Sequence, residues 1–158
     1  MATTIKSIAA AVDFDEDIDD VLEIAGSLAA TTGAELHVVH TYPPDPELFA
    51  GEPYSFPPSA SPELHEAAVE DDRARVRDLV MELHARGVAA TGHMKPLEKS
   101  IPTSIIDFAH EVHADLIVIG THRAGRLERI ILGSSCEGVI RKSDIPVLVV
   151  PRARSDHE

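Results

Sequence analysis

Between Gly120 and Ser135 the chain reads GTHRAGRLERIILGSS, and this is the stretch best equipped for chemistry. It follows an apolar run and carries Gly120, Gly125 and Gly133, the last followed directly by Ser134 and Ser135 at the start of an expected helix. Amide hydrogens at a helix start, small hydroxyls and glycines that admit close backbone approach together suit a phosphate or another anion. Arg123, Arg126 and Arg129 stand against the single acid Glu128, a local excess of positive charge in a chain of net charge −13. Two readings stay open on spacing alone. Ser134 and Glu137 also fit the S-x-x-E capping box, which satisfies a helix start without a ligand. Arg141 and Lys142 complement the far end of that helix, and the three arginines could be a solvated face.

Other residue types offer less. Asp13, Asp15, Glu16, Asp17, Asp19, Asp20 and Glu23 crowd the beginning of the first helix, where carboxylates favour the helix dipole. Asp13 is either a cap of that helix or a ligand contact, and Asp15 could hold Mg²⁺ through water. The Asp13-Phe14-Asp15 sequence after a strand looks superficially like the aspartyl nucleophile motif of haloacid-dehalogenase-like phosphatases, with Thr121 in the place of a second motif. That chemistry needs a second carboxylate and Mg²⁺, and Asp17 stands where those enzymes carry threonine or valine. Among nine histidines, His110 and His113 lie three apart on one helix without a third metal ligand in view. His37 and His40 are expected on different faces of a strand, so they form no joint site. Cys136, near a helix start, is either a reactive thiol or a packing residue. No Walker loop, GxSxG elbow or Ser-His-Asp order is present, and no catalytic residue is expected.

Composition excludes several classes. One cysteine permits no internal disulfide and no CxxC site, and 27 acidic against 14 basic residues argue against a nucleic-acid or anionic-membrane partner. No apolar run approaches the roughly 20 residues of a membrane span. Met1 to Lys6 lacks the layout of a signal peptide, so a cytoplasmic location is expected. A length of 158 residues fits one domain, 1–158, able to bury its own core.

The elements that would position these groups follow from periodicity. Apolar or β-branched runs at Ile5 to Val12, Glu35 to Thr41, Val88 to His93, Leu116 to Gly120 and Pro146 to Val150 read as strands, three of them continuous enough to be buried on both faces. Between them lie helical patterns. Ile18 to Ala29 carries one apolar stripe closed by Gly33, Ser61 to Arg86 ends at Gly87, and Thr103 to His113 and Ser134 to Lys142 complete the set, with a short turn at Leu127 to Leu132. The alternation implies an open, doubly wound, mostly parallel α/β sheet with helices on both faces. It also implies a ligand crevice beyond the strand ends, near Val12, Val39 and Ile119. Tyr42 to Ala60 interrupts the rhythm with six of the eleven prolines. It is expected to be a surface loop, with a lid or docking arm as the alternative. Residues 151–158 form a short tail.

Several blocks carry a family resemblance in order along the whole chain. They are Val12-Asp13-Phe14, Val38-Val39-His40, Ala114 to His122, Leu132-Gly133-Ser134 and Ile145 to Val150. The sequence resembles the universal stress proteins. That resemblance implies a five-stranded, Rossmann-like (nucleotide alpha hydrolase-like) sheet and a homodimer formed through the last strand, with Val147, Leu148, Val149 and Val150 as the dimer edge. Many members bind ATP through a G-x2-G-x9-G-[ST] pattern. Gly120, Gly133 and Ser134 match it, and Arg123 replaces the middle glycine. The resemblance places Asp13 by the ribose and adenine, and Val12 and Thr41 beside the base. It puts Ile119, Gly120 and His122 along the pocket, and Gly133, Ser134, Ser135 and Cys136 at the phosphates. Arg123 would either fill the phosphate space or grip a phosphate bidentately.

Three functions are thereby in view. The first is an adenine-nucleotide-binding stress regulator, taking ATP or AMP with or without Mg²⁺ and hydrolysing slowly at most. The second is a member that has lost nucleotide binding and serves as a dimeric interaction module with a protein partner. The third, remote, is an aspartyl phosphatase using Asp13.

Overall fold

The computed structural model describes residues 3–14, 19–44, 61–121 and 133–151. The elements run β1 (Ser7–Ala11), α1 (Asp19–Thr32), β2 (Glu35–Tyr42), α2 (Pro62–Ala85), β3 (Ala90–Pro96), α3 (Ile101–Glu111), β4 (Leu116–Gly120), α4 (Ser134–Lys142) and β5 (Val147–Val150). All strand pairs are parallel, in the order β3-β2-β1-β4-β5. The order reverses at β1, which lies between β2 and β4, so the crevice sits where the carboxyl ends of β1 and β4 part company.

Alternating side chains divide the core. Ile8, Ala10, Val12, Leu36, Val38 and Val118 face α1 and α2 with Val21, Leu22, Ala25 and Leu83. Ala9, Val39, Ile117 and Ile119 face α3 and α4 with Ile105, Phe108, Ala109, Cys136 and Val139. This is the two-sided burial that the unbroken apolar strands imply. Each large aliphatic side chain so buried contributes about 1.5–3 kcal/mol.

Local chemistry fixes the helix ends. The hydroxyls of Ser61 and Ser100 accept from the amides of Leu64 and Thr103, and each serine is followed by proline within the first turn. Three helices close in one manner. The amides of Ala34, Val88 and Ala114 reach back to the carbonyls of Ala29, Leu83 and Ala109 around a left-handed residue. That residue is Gly33 (φ 74°) after α1, Gly87 (φ 80°) after α2, and His113 (φ 51°) after α3.

A histidine in that conformation is strained by about 1–2 kcal/mol, part of which glycine's larger unfolded entropy would offset. His113→Gly is therefore expected to stabilise the protein by about 0.5–1 kcal/mol in urea unfolding. An unchanged midpoint would show that the histidine side chain compensates the strain.

Several boundaries differ from the sequence expectations, and at three of them the local reason is plain. β3 starts at Ala90 rather than Val88, because the Val88 amide is spent on closing α2. α3 starts at Ile101 rather than Thr103, because Ser100 is the cap and Thr103 its hydrogen-bond partner. Tyr42, expected to open the proline-rich loop, closes β2 opposite Pro96, and its carbonyl accepts from Leu97 at 2.9 Å. The rest of that loop from residue 45 to 60, the Leu127 to Leu132 turn and residues 152–158 lie outside the described residues. β5 is an edge strand, with Val147, Leu148 and Val149 half-buried and Val150 buried.

Candidate functional site at the sheet switch point

The crevice is built from strand ends. The amide of Val12, just past β1, donates to the Val39 carbonyl at 3.0 Å, and the amide of Thr121, just past β4, donates to Val150 at 3.1 Å. Val12 and Ile119 are buried beneath the crevice, Thr41 and Gly120 are half-buried, and Asp13 is exposed at its rim. Gly120 owes its identity to packing, since a Cβ there would come within 2.9 Å of Val21 Cγ2 on α1.

α4 opens onto this end of the sheet. Gly133 is its N-cap with φ −59° and ψ 158°, ordinary extended backbone, and no side chain caps the helix among the described residues. The expected capping box is therefore not formed. Ser134 is already the first helical residue, one position too late to cap, and Glu137 pairs with Arg141 instead. The first helical bond runs from the Glu137 amide to the Gly133 carbonyl at 3.0 Å. Helix geometry thus leaves the amides of Ser134, Ser135 and Cys136 with no intrahelical acceptor. Ser134 is exposed, Ser135 half-buried, and Cys136 sunk in the α3–α4 core. Burial pushes the Cys136 thiol up from its ordinary range, so the side chain is a protonated packing group. Slow modification by thiol reagents in the native state is the corresponding expectation. α1 is described from Asp19 onward, and the cap expected of Asp13 involves residues 15–18, outside the described residues. Asp15, His122 and Arg123 lie outside the described residues.

The profile of the universal stress protein family matches residues 4–151. The chain belongs to the universal stress protein family. The stress response protein NhaX of Bacillus subtilis is 32% identical over 90% of this chain and 96% of its own length. A universal stress protein of Thermus aquaticus is 30% identical over 92% and 98% respectively. Among solved structures, the Methanocaldococcus jannaschii protein MJ0577 superposes with a TM-score of 0.77 at 25% identity, covering 97% of this chain and all of that one. A universal stress protein of Archaeoglobus fulgidus in complex with dAMP superposes at 0.66 and 26% identity, covering 94% and 99%.

In this universal stress protein the histidines of β2 separate as expected. His37 faces α3 and His40 faces α2, on opposite sides of the sheet. His37 Nδ1 lies 3.1 Å from His93 Nε2 across the β2–β3 pair, and the His93 ring meets Phe108 edge-on at 4.8 Å. Desolvation pushes the His93 pKa below its ordinary value. His37 and Lys95 add to the drop, while Glu111 and Glu35 oppose it. A base whose folded pKa is depressed stabilises the fold above its unfolded value, about 6.5, and that stability is lost as pH falls below it. The melting temperature is therefore expected to fall between pH 7.5 and 5.5, and His93→Gln to flatten that slope. An equal slope in both proteins would remove His93 as the cause.

His110 bonds Asp144 at 2.9 Å on the surface, and His113 terminates α3. No group of three or more histidine, cysteine or acidic residues stands ready to hold a metal among the described residues. No described helix is long and apolar enough to cross a membrane.

Sequence reasoning missed one cluster beside the crevice. His40, 7% exposed, joins the Val12 carbonyl and Asp72 of α2, while the Phe14 ring lies 4.5 Å from the His40 ring and under the Arg75 guanidinium. Asp72 sits in the acidic run Glu70-Asp71-Asp72, and spacing along α2 does not single it out.

Proposed function

We propose that this chain is a stress-response regulatory protein that binds an adenine nucleotide, ATP or AMP, in the crevice between β1 and β4. The observation that carries the reading is the start of α4, the crossover helix that follows β4, whose first amides have no helical acceptor and, among the described residues, no side-chain cap. The dAMP complex of the Archaeoglobus relative supports adenine nucleotide as the ligand class. In this reading Val12, Asp13 and Thr41 meet the base and ribose, and Ile119, Gly120 and His122 line the wall. Gly133, Ser134, Ser135 and the Cys136 amide receive the phosphates, and Arg123 supplies a cation. Asp15 would assist Mg²⁺ through water. Hydrolysis in this reading is slow at most. The protein acts in the cytoplasm as a homodimer joined along Val147 to Val150, an apolar edge that pairing would cover.

Ser134→Asp tests the reading, because it separates binding from folding. A carboxylate in the first helical turn favours the helix dipole, so the melting temperature should hold or rise. The same charge repels a phosphate, and titration calorimetry should show ATP affinity falling by at least about tenfold. Binding that survives this change would place the phosphates elsewhere. Arg123 at the middle glycine position favours a second reading, the interaction module without nucleotide. Wild-type protein that neither carries adenine nucleotide through purification nor melts higher with millimolar Mg-ATP would establish that one instead. Arg123→Gly would then be expected to create ATP affinity.

A further inference from the structure

His40 is buried with both ring nitrogens engaged. Nδ1 stands 3.1 Å from the Val12 carbonyl oxygen and Nε2 stands 3.1 Å from Asp72 Oδ2. A carbonyl only accepts, so Nδ1 carries a hydrogen. A carboxylate also only accepts, so the bond between Nε2 and Asp72 likewise runs through a hydrogen between the two atoms. The result is a continuous polar link from α2 through β2 to the last carbonyl of the β1 exit. Val12 is fastened at its other end too, its amide donating to Val39. Phe14, two residues on, packs against the His40 ring and beneath Arg75, the neighbour of Asp72 one turn along α2.

We propose that His40 and Asp72 are positioning residues that hold the Val12–Phe14 backbone in the shape the crevice requires. The link therefore sets the crevice's affinity for its ligand from α2. The effect on affinity rests on the nucleotide reading; the effect on the backbone does not. Val12 and Asp13 belong to the proposed base and ribose contacts, and neither His40 nor Asp72 is among those contacts. A tether that fixes an exit loop before ligand arrives removes an ordering cost from binding.

Two substitutions at one position separate this role from general support of the fold. Asp72→Leu keeps the branched shape and removes the polar partner. Asp72→Asn can donate its amide hydrogen to Nε2 of a neutral ring, and so preserves both bonds of His40 without the shared proton. Native-state amide exchange is measured at Val12 and, as a reference across the sheet, at Ile117, whose amide donates to Pro146 at 2.9 Å. Asp72→Leu should accelerate exchange at Val12 by about tenfold with Ile117 unchanged, and Asp72→Asn should return Val12 to within about twofold of wild type. ATP affinity by calorimetry should follow the same order, about tenfold weaker in the leucine variant. Unchanged exchange at Val12, equal acceleration at Ile117, or failure of asparagine to rescue would each overturn the proposal. Wild-type protein that does not bind ATP would refute the nucleotide reading, while the exchange comparison would still decide the tether.

Discussion

Phe108→Ala should lower the free energy of unfolding by about 4 kcal/mol. Phe108 is the largest of the fully buried side chains at 1% exposure, and it joins α3 to Val39 and Ile117 on the sheet. Its ring meets His93 edge-on at 4.8 Å and lies under Lys95 Nζ at 5.8 Å. Truncation removes the transfer energy of the ring and leaves a cavity that helix and sheet, fixed by their own hydrogen bonds, can close only in part. Urea unfolding measures the loss. A drop of under about 1.5 kcal/mol would mean that α3 collapses onto the sheet far more freely than close packing permits. The same variant should weaken the acid-side loss of stability, because water reaching His93 removes the desolvation that depresses its pKa.

The second large effect concerns α4, whose first amides are proposed to receive the phosphates. Gly138 lies in α4 against Pro102 in the first turn of α3, where an added Cβ would stand 2.5 Å from Pro102 Cγ and 2.9 Å from Pro102 Cβ. A proline ring cannot swing aside as the end of a flexible chain can, so the helices must separate. Gly138→Val is expected to cost about 3 kcal/mol from overpacking, offset only slightly by the better helix propensity of valine than of glycine. The melting temperature should fall by about 6–12 °C. Gly138→Ala should cost less, because alanine regains about 1 kcal/mol of helix propensity over glycine. Nucleotide affinity, where the variant remains folded, should fall with it, since α4 cannot move from Pro102 without moving Ser134 and Ser135. A valine variant as stable as wild type would show that the two helices are not in contact there.

Much of the architecture was legible from local pattern. Leu116 to Gly120 and Ser134 to Lys142 were bounded as observed, because an unbroken apolar run and a helix of that amphipathic layout each have few alternative conformations. A crevice is expected just past Val12, Val39 and Ile119 because in a doubly wound sheet the strand ends at the reversal diverge. Where local reasoning failed, two local solutions competed. Ser134 with Glu137 satisfied a capping pattern, yet Gly133 took the cap, and nothing in the four residues alone decides between adjacent frames. Gly120 also has a packing reason that no local pattern shows, since Val21, from a helix about a hundred residues earlier in sequence, fills its side-chain space.

The sequence by itself determined the order of elements, the two-faced burial of the sheet and the family, because periodicity and turn chemistry act over a few residues and survive without knowledge of distant partners. Only the tertiary structure decided that Cys136 is a core thiol, that His37 finds His93, and that His40 ties Asp72 to the Val12 carbonyl. Each of those depends on side chains tens of residues apart being brought within about 3 Å, and the direction in which a histidine or an aspartate points is fixed by packing that no local spacing encodes.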